Sequence, residues 1–230
     1  MTFRAILFDK DGTLFDFHLS WGAWARDFLV EISEGDMVRA TRLAARIGFD
    51  LEAARFDLES PVIAGTPDQI VGLVAPEFPH LTAREIANQI NSAAAQAQMI
   101  EAAPLVPLMT GLRERGLSLG VATNDAHAPA KAHLDGAGIT GHFDFIAGSD
   151  SGHGAKPAPG MCLAFAGAMK IATEQVVMVG DSTHDLIAGR VAGMATVAVL
   201  TGVAPAEQLA PLADAVLPDI GHLPDWLDGF

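Results

Sequence analysis

Cysteine is nearly absent. Cys162 is the single thiol in 230 residues, so no intrachain disulfide can form and the fold must rest on its core, as expected in a reducing cytoplasm. No apolar run approaches the roughly 20 residues that cross a bilayer. The first eight residues are too short an apolar stretch for a secretory signal and lack its cleavage pattern, so a cytoplasmic protein is expected. Positive charge is scarce as well: 14 Lys and Arg face 28 Asp and Glu, a formal charge of −14. That balance argues against nucleic acid and against anionic membranes as partners, and it requires a local cation wherever an anionic substrate is to bind. Lysines stand at Lys10, Lys131, Lys156 and Lys170 and nowhere else.

Apolar material is plentiful. Half the residues are hydrophobic and the mean hydropathy is +0.30, enough for one large domain or a core with an appendage, as a monomer or homodimer. Short apolar runs near 3–8, 117–122, 143–147, 175–179 and 195–199, with a further one near 214–217, alternate with helical patterns near 107–115, 126–136, 159–171, 183–192 and 205–211. This alternation predicts an α/β fold with a Rossmann-like parallel sheet. Gly116, Gly136 and Gly193 stand where helix ends are expected.

Residues 16–102 break the rhythm. They show no convincing strand, a helical face of Trp21, Trp24, Phe28, Leu29 and Ile32 behind an N-cap at Ser20, and capping boxes at Thr66–Gln69 and Thr82–Glu85. The second box should open an alanine-rich helix running to about residue 102. Such a stretch is too long for a loop. It predicts a helical subdomain, 16–102, inserted into a core of 1–15 and 103–230, with Asp16 at the hinge.

Chemistry collects at the strand ends, where open parallel sheets bind ligands. The first run stops at "FDKDGT" and delivers Asp9, Asp11 and Thr13. The second delivers Thr123, Asn124 and Asp125, the third leads to Lys156, and the fourth to Asp181 and Asp185. Two carboxylates about 4 Å apart repel by roughly 4 kcal/mol at an effective dielectric near 20. Three or four together need a cation, a shared proton or a lysine. An all-oxygen set suits a hard cation, Mg²⁺ at a phosphate site, and a carboxylate can itself take a phosphoryl group.

In this order, DxDGT, Thr, Lys-Pro and GDxxxD, the chain resembles the haloacid dehalogenase hydrolase superfamily along essentially its whole length. The insertion after the first motif is similar to the α-helical cap of its phosphoglycolate-phosphatase-like branch. The resemblance implies Asp9 as nucleophile, forming an aspartyl-phosphate, and Asp11 as general acid and base. It implies Thr123, Asn124 and Lys156 on the phosphoryl oxygens, and Mg²⁺ on Asp9, the Asp11 carbonyl oxygen and Asp181. Thr13 and Asp185 stand behind these ligands, Asp185 acting through water or Lys156 or closing a helix as Ser182-x-x-Asp185. His18, at the cap entrance, is a candidate for touching substrate.

The implied activity is Mg²⁺-dependent hydrolysis of a small organic phosphate, phosphoglycolate-like. A sugar phosphomutase and a pyrophosphatase or nucleotidase share the same core. From another class, an Asp-phosphorylated receiver module uses similar strand ends, but at half this length and without the insertion. Strand alternation turns Lys10 away from Asp9 and Asp11, leaving it to pair with another nearby acid. Trp21, Trp24 and Phe28 read as core, and the arginines of the insertion as solvated helix faces.

Overall fold

The computed structural model describes residues 2–230. Strands β1 (Ala5–Phe8), β4 (Ser118–Ala122), β5 (Phe145–Ala147), β6 (Val176–Gly180), β7 (Ala195–Val199) and β8 (Ala215–Leu217) form one sheet in the order β5-β4-β1-β6-β7-β8. Every neighbouring pair is parallel. β1 pairs with β4 on one side and β6 on the other, Leu7 opposite both Gly120 and Met178, so the first strand lies mid-sheet with all four residues buried. Its side chains alternate as the pleat requires. Ile6 and Phe8 join a cluster with Leu105, Met109 and Leu112 of α5 (Leu105–Glu114). Ala5 and Leu7 face Met161, Cys162 and Phe165 of α7 (Gly160–Met169). Helices α6 (His127–Gly136) and α8 (Thr183–Ala192) complete the crossovers, and α9 (Ala206–Leu209) and α10 (Leu223–Leu227) follow β7 and β8. The six predicted strands are all present. The left-handed residues after α6 and α8 are Gly138 and Gly193, whereas Gly136, expected to end its helix from outside, is the last residue within α6.

The insertion has its own core. Helix α1 (Phe17–Ile32) buries Phe17, Trp21, Ala25 and Leu29, four residues at i, i+4 spacing, against α2 (Met37–Arg46), α3 (Pro67–Val74) and α4 (Ala83–Ala94). Its N-cap is Asp16, which accepts from the Leu19 amide at 2.9 Å. Ser20, the expected cap, is a buried residue inside the helix whose hydroxyl accepts from the Ile100 amide instead. Both predicted capping boxes close as expected.

Two expectations change. A two-residue hairpin, β2 (Phe49–Asp50) with β3 (Arg55–Phe56), lies where no strand was expected. Helix α4 stops at Ala94 although good helix formers continue beyond it, because the chain must turn back to the core. There Asp16 N donates to Ile100 O, Ala102 N donates to Leu14 O, and Phe15 bridges Glu101. The outgoing and returning segments are thus paired side by side. Among the described residues no helix is long and apolar enough to cross a membrane.

Candidate active site

β1 ends at Phe8, and the chain then turns sharply: the amides of Leu14 and Phe15 both donate to the Lys10 carbonyl. The turn needs Gly12, whose φ is +77° and whose place a Cβ would take only by lying 2.3 Å from Asp181 Oδ2. Gly202 is equally closed to a side chain by Asp181. Two glycines thus cradle one carboxylate, which also accepts from Thr13 Oγ1 at 3.3 Å.

A cavity of about 850 Å³, its mouth included, opens over this turn between core and insertion. Asp9, Asp11, Thr123, Asn124, Lys156, Asp181 and Asp185 all line it. The Lys156 ammonium uses its three protons on Asp9 Oδ1 at 2.5 Å, Asp185 Oδ1 at 2.6 Å and the Ala122 carbonyl at 2.7 Å. Burial alone would discharge this lysine; Asp185 and Asp9 more than reverse that and hold it above its ordinary pKa. Asp185 does both things its sequence allowed, closing the α8 capping box with Ser182 and gripping Lys156.

Asp9, Asp181 and Asp185 bring carboxylate oxygens within 4.8 Å of one another, all three buried. With one lysine among three acids the cluster carries excess negative charge. Burial, then Asp185 and Asp11, pushes Asp9 up to about 7 against the pull of Lys156. Burial, then Asp185 and Asp9, pushes Asp181 well above the usual carboxylate range. An all-oxygen, over-acidic pocket closed on one side by two glycines matches a hard divalent cation. Asp9 and Asp181, with Asp185 or the Asp11 carbonyl oxygen, are the residues that could hold it.

The partner of Asp11 differs from the sequence expectation. Lys10, expected to face the other way, is fully buried with Nζ 2.8 Å from both Asp11 oxygens. Strand alternation does not reach residue 10, because the strand has already ended. Lys10 also meets Asp125 at 3.3 Å and His133 Nδ1 at 3.0 Å. An ammonium can only donate, so Nδ1 accepts, and His133 Nε2 carries the proton donated to the Ala94 carbonyl at 2.8 Å. Burial, then Lys10, holds this imidazole below its ordinary pKa. Trp21 Nε1 donates to Asp11 Oδ1 at 2.8 Å. Burial would raise Asp11, but Lys10 overrides it and the carboxyl sits below its usual range. The acid two residues after Asp9 is therefore held as a carboxylate by a lysine of the core and a tryptophan of the insertion.

Three further placements refine the expectations. Asn124, expected on a phosphoryl oxygen, spends its side chain on structure: Oδ1 accepts from Lys156 N at 2.8 Å, and Nδ2 donates to Lys156 O and to Ala64 O of the insertion. Thr123 lines the cavity with its hydroxyl accepting from the Asp125 amide. His18 is not among the cavity-lining residues and packs edge-on against Phe17. Lys10, read from the sequence as facing away from both acids, pairs with Asp11, and His133 and the indole N–H of Trp21 escaped the sequence reading. Trp21 was visible as core, but nothing in the sequence pairs residue 10 with residue 133.

A central first strand with its acids at a turn, and a helical unit inserted directly after it, define a hydrolase class. The family model described as haloacid dehalogenase-like hydrolase matches residues 3–193, and the chain belongs to that family. Among individual proteins, it is 31% identical over 230 aligned positions to "Probable phosphatase IndB" of Dickeya dadantii (strain 3937), covering 93% of this chain and 88% of the relative. It is 36% identical over 121 positions to the phosphoglycolate phosphatase of Rhodospirillum rubrum, covering 52% of this chain and 50% of that one. A crystal structure of a HAD family hydrolase from Deinococcus radiodurans R1, with bound phosphate and sodium, has the same fold. It aligns at TM-score 0.68 and 23% identity over 99% of this chain and 96% of the other.

Proposed function

We propose that the protein is a Mg²⁺-dependent phosphatase that hydrolyses phosphate monoesters through a covalent phospho-Asp9. The observation that carries the reading is Asp9 itself, a buried carboxylate on the cavity floor with Lys156 bonded to it and Asp11 two residues on at the same mouth. The relatives named as phosphatases support it.

In the first half-reaction an Asp9 oxygen attacks phosphorus, the ester P–O bond breaks, and the leaving alkoxide takes a proton from Asp11. In the second, Asp11 accepts a proton from water, the water oxygen attacks phosphorus, and the bond to Asp9 breaks to release inorganic phosphate. Lys10 and Trp21 hold Asp11 in the form the second step needs. For the first step Asp11 must gain a proton, and a monoanionic ester can bring one. Lys156 offsets charge on Asp9 and on the phosphoryl group, and Thr123, which lines the cavity, donates its hydroxyl to a phosphoryl oxygen. A bound divalent cation would supply further neutralisation of the phosphoryl charge.

Residues 16–102 serve as a cap on the core of 1–15 and 103–230, tied to it by Asn124–Ala64 and His133–Ala94. The phosphoglycolate-like substrate expected from the sequence has support from relatives matched over about half their length.

The test is phosphate release from a panel of monoesters with Mg²⁺, with EDTA, and with Asp9→Asn. Turnover should need Mg²⁺ and fall at least about a thousandfold in the variant, as when a nucleophile is removed. Near-wild-type turnover by Asp9→Asn would remove Asp9 from the chemistry.

A further inference from the structure

The cavity has two unlike ends. The floor carries the carboxylates and Lys156, while the walls from the insertion are apolar: Phe17, Trp21, Trp24, Phe56, Ile70 and Ile90. Among the described residues Lys156 and His184 are the only basic side chains on the wall, and Lys156 is already engaged at the floor. Of the six arginines of the insertion, Arg39, Arg42 and Arg46 gather on Glu77 and Arg26 on Asp27, while Arg55 and Arg84 are exposed and do not line the cavity. A second void, of about 610 Å³ with its mouth, lies beside the first in the core of the insertion. The two share Trp24, Phe56, Val62, Ile70 and Ile90 as a common wall, so the insertion meets the cavity with hydrocarbon.

Resting on the phosphatase reading, we infer that the substrates are phosphate monoesters of neutral, predominantly apolar alcohols, and that a leaving group carrying a second anion, as glycolate does, is disfavoured. A carboxylate pressed against the apolar side chains of the insertion would lose its hydration with no cation among them to replace it. A hydrocarbon leaving group gains by leaving water there. The net charge of −14 works in the same direction.

The n-alkyl phosphates from ethyl to hexyl test this, because their alcohols have similar acidity and a trend in kcat/KM reports burial. Each methylene fully removed from water is worth up to about fourfold, so hexyl phosphate should exceed ethyl phosphate by about tenfold or more. Phosphoglycolate should not exceed ethyl phosphate. Phenyl phosphate against 4-carboxyphenyl phosphate gives the aromatic arm, with phenyl the better substrate.

A flat alkyl series, or phosphoglycolate as the best ester, overturns the apolar assignment and leaves the phosphatase reading standing. If no ester is hydrolysed, the phosphatase reading falls. Alkylphosphonate binding, followed by the fluorescence of Trp21 and Trp24, then decides the apolar assignment separately: affinity that rises with chain length upholds it, and affinity independent of chain length overturns it.

Discussion

Replacing Lys10 by Met keeps an unbranched side chain of similar length while deleting one buried charge. The ammonium lies 2.8 Å from the Asp11 oxygens and 3.3 Å from Asp125 Oδ2, attractions of about 6 and about 5 kcal/mol at an effective dielectric near 20. Desolvation of the lysine offsets much of this, and removing one partner of a buried pair costs about 3–5 kcal/mol net. Lys10→Met should therefore lower the unfolding free energy by that amount at pH 7.5, measured by urea denaturation.

The pH dependence carries a distinctive sign. In the wild type Lys10 holds the Asp11 carboxyl below its usual range; without it, burial raises that carboxyl above its unfolded value. The variant is then most stable below the unfolded pKa and loses stability as pH rises through the raised one. The deficit against wild type should shrink from pH 7.5 toward pH 5. A deficit under about 1 kcal/mol, or one independent of pH, would show that Lys10 is not engaged with Asp11 in solution.

Gly12→Ala should cost about 1–2 kcal/mol for a left-handed non-glycine residue, and its Cβ would displace Asp181. The half-saturating Mg²⁺ concentration for turnover should rise; an unchanged requirement would separate Asp181 from the metal. In EDTA-treated protein Asp9, raised to about 7 from 3.8, stays protonated in the folded state where the unfolded chain has released its proton. The urea midpoint should fall as pH rises from about 4 to about 7, and Mg²⁺ should suppress that fall. A flat profile in EDTA would refute the crowding of these acids.

The strand ends were legible because each combines a buried apolar run with a polar stop, a pattern that packing and desolvation both enforce. Thus Asp9, Thr123, Lys156 and Asp181 could be expected at one pocket from chain order alone. Local capping was legible for the same reason at Thr66 and Thr82, where partners lie three residues apart. What escaped were pairings between distant segments. The Lys10–His133–Ala94 chain joins three segments separated by the whole sheet topology. At Lys10 the alternation rule was applied one turn too far, since the strand ends at Phe8. At residue 94 helix propensity continued but the need to rejoin the core prevailed, a tertiary demand that overrides residue preference. Ser20 was the expected cap of α1, yet Asp16 caps it, with Phe17 just after Asp16 buried in the insertion's core.

The side-by-side pairing of Asp16 with Ile100 and of Leu14 with Ala102 has a consequence for how such an enzyme diversifies. From the sheet's side, everything between these pairs is one closed loop on a single stalk. Lengthening a loop is thermodynamically gentle, about 0.6 kcal/mol for each doubling. Whole helices can therefore be gained, lost or exchanged beyond the stalk without disturbing strand register. A graft joined at the same two positions would meet an intact floor of carboxylates and Lys156. It would have to bring its own replacements for the Trp21 indole and for the Ala64 and Ala94 carbonyls, because those are the points where the host reads its guest.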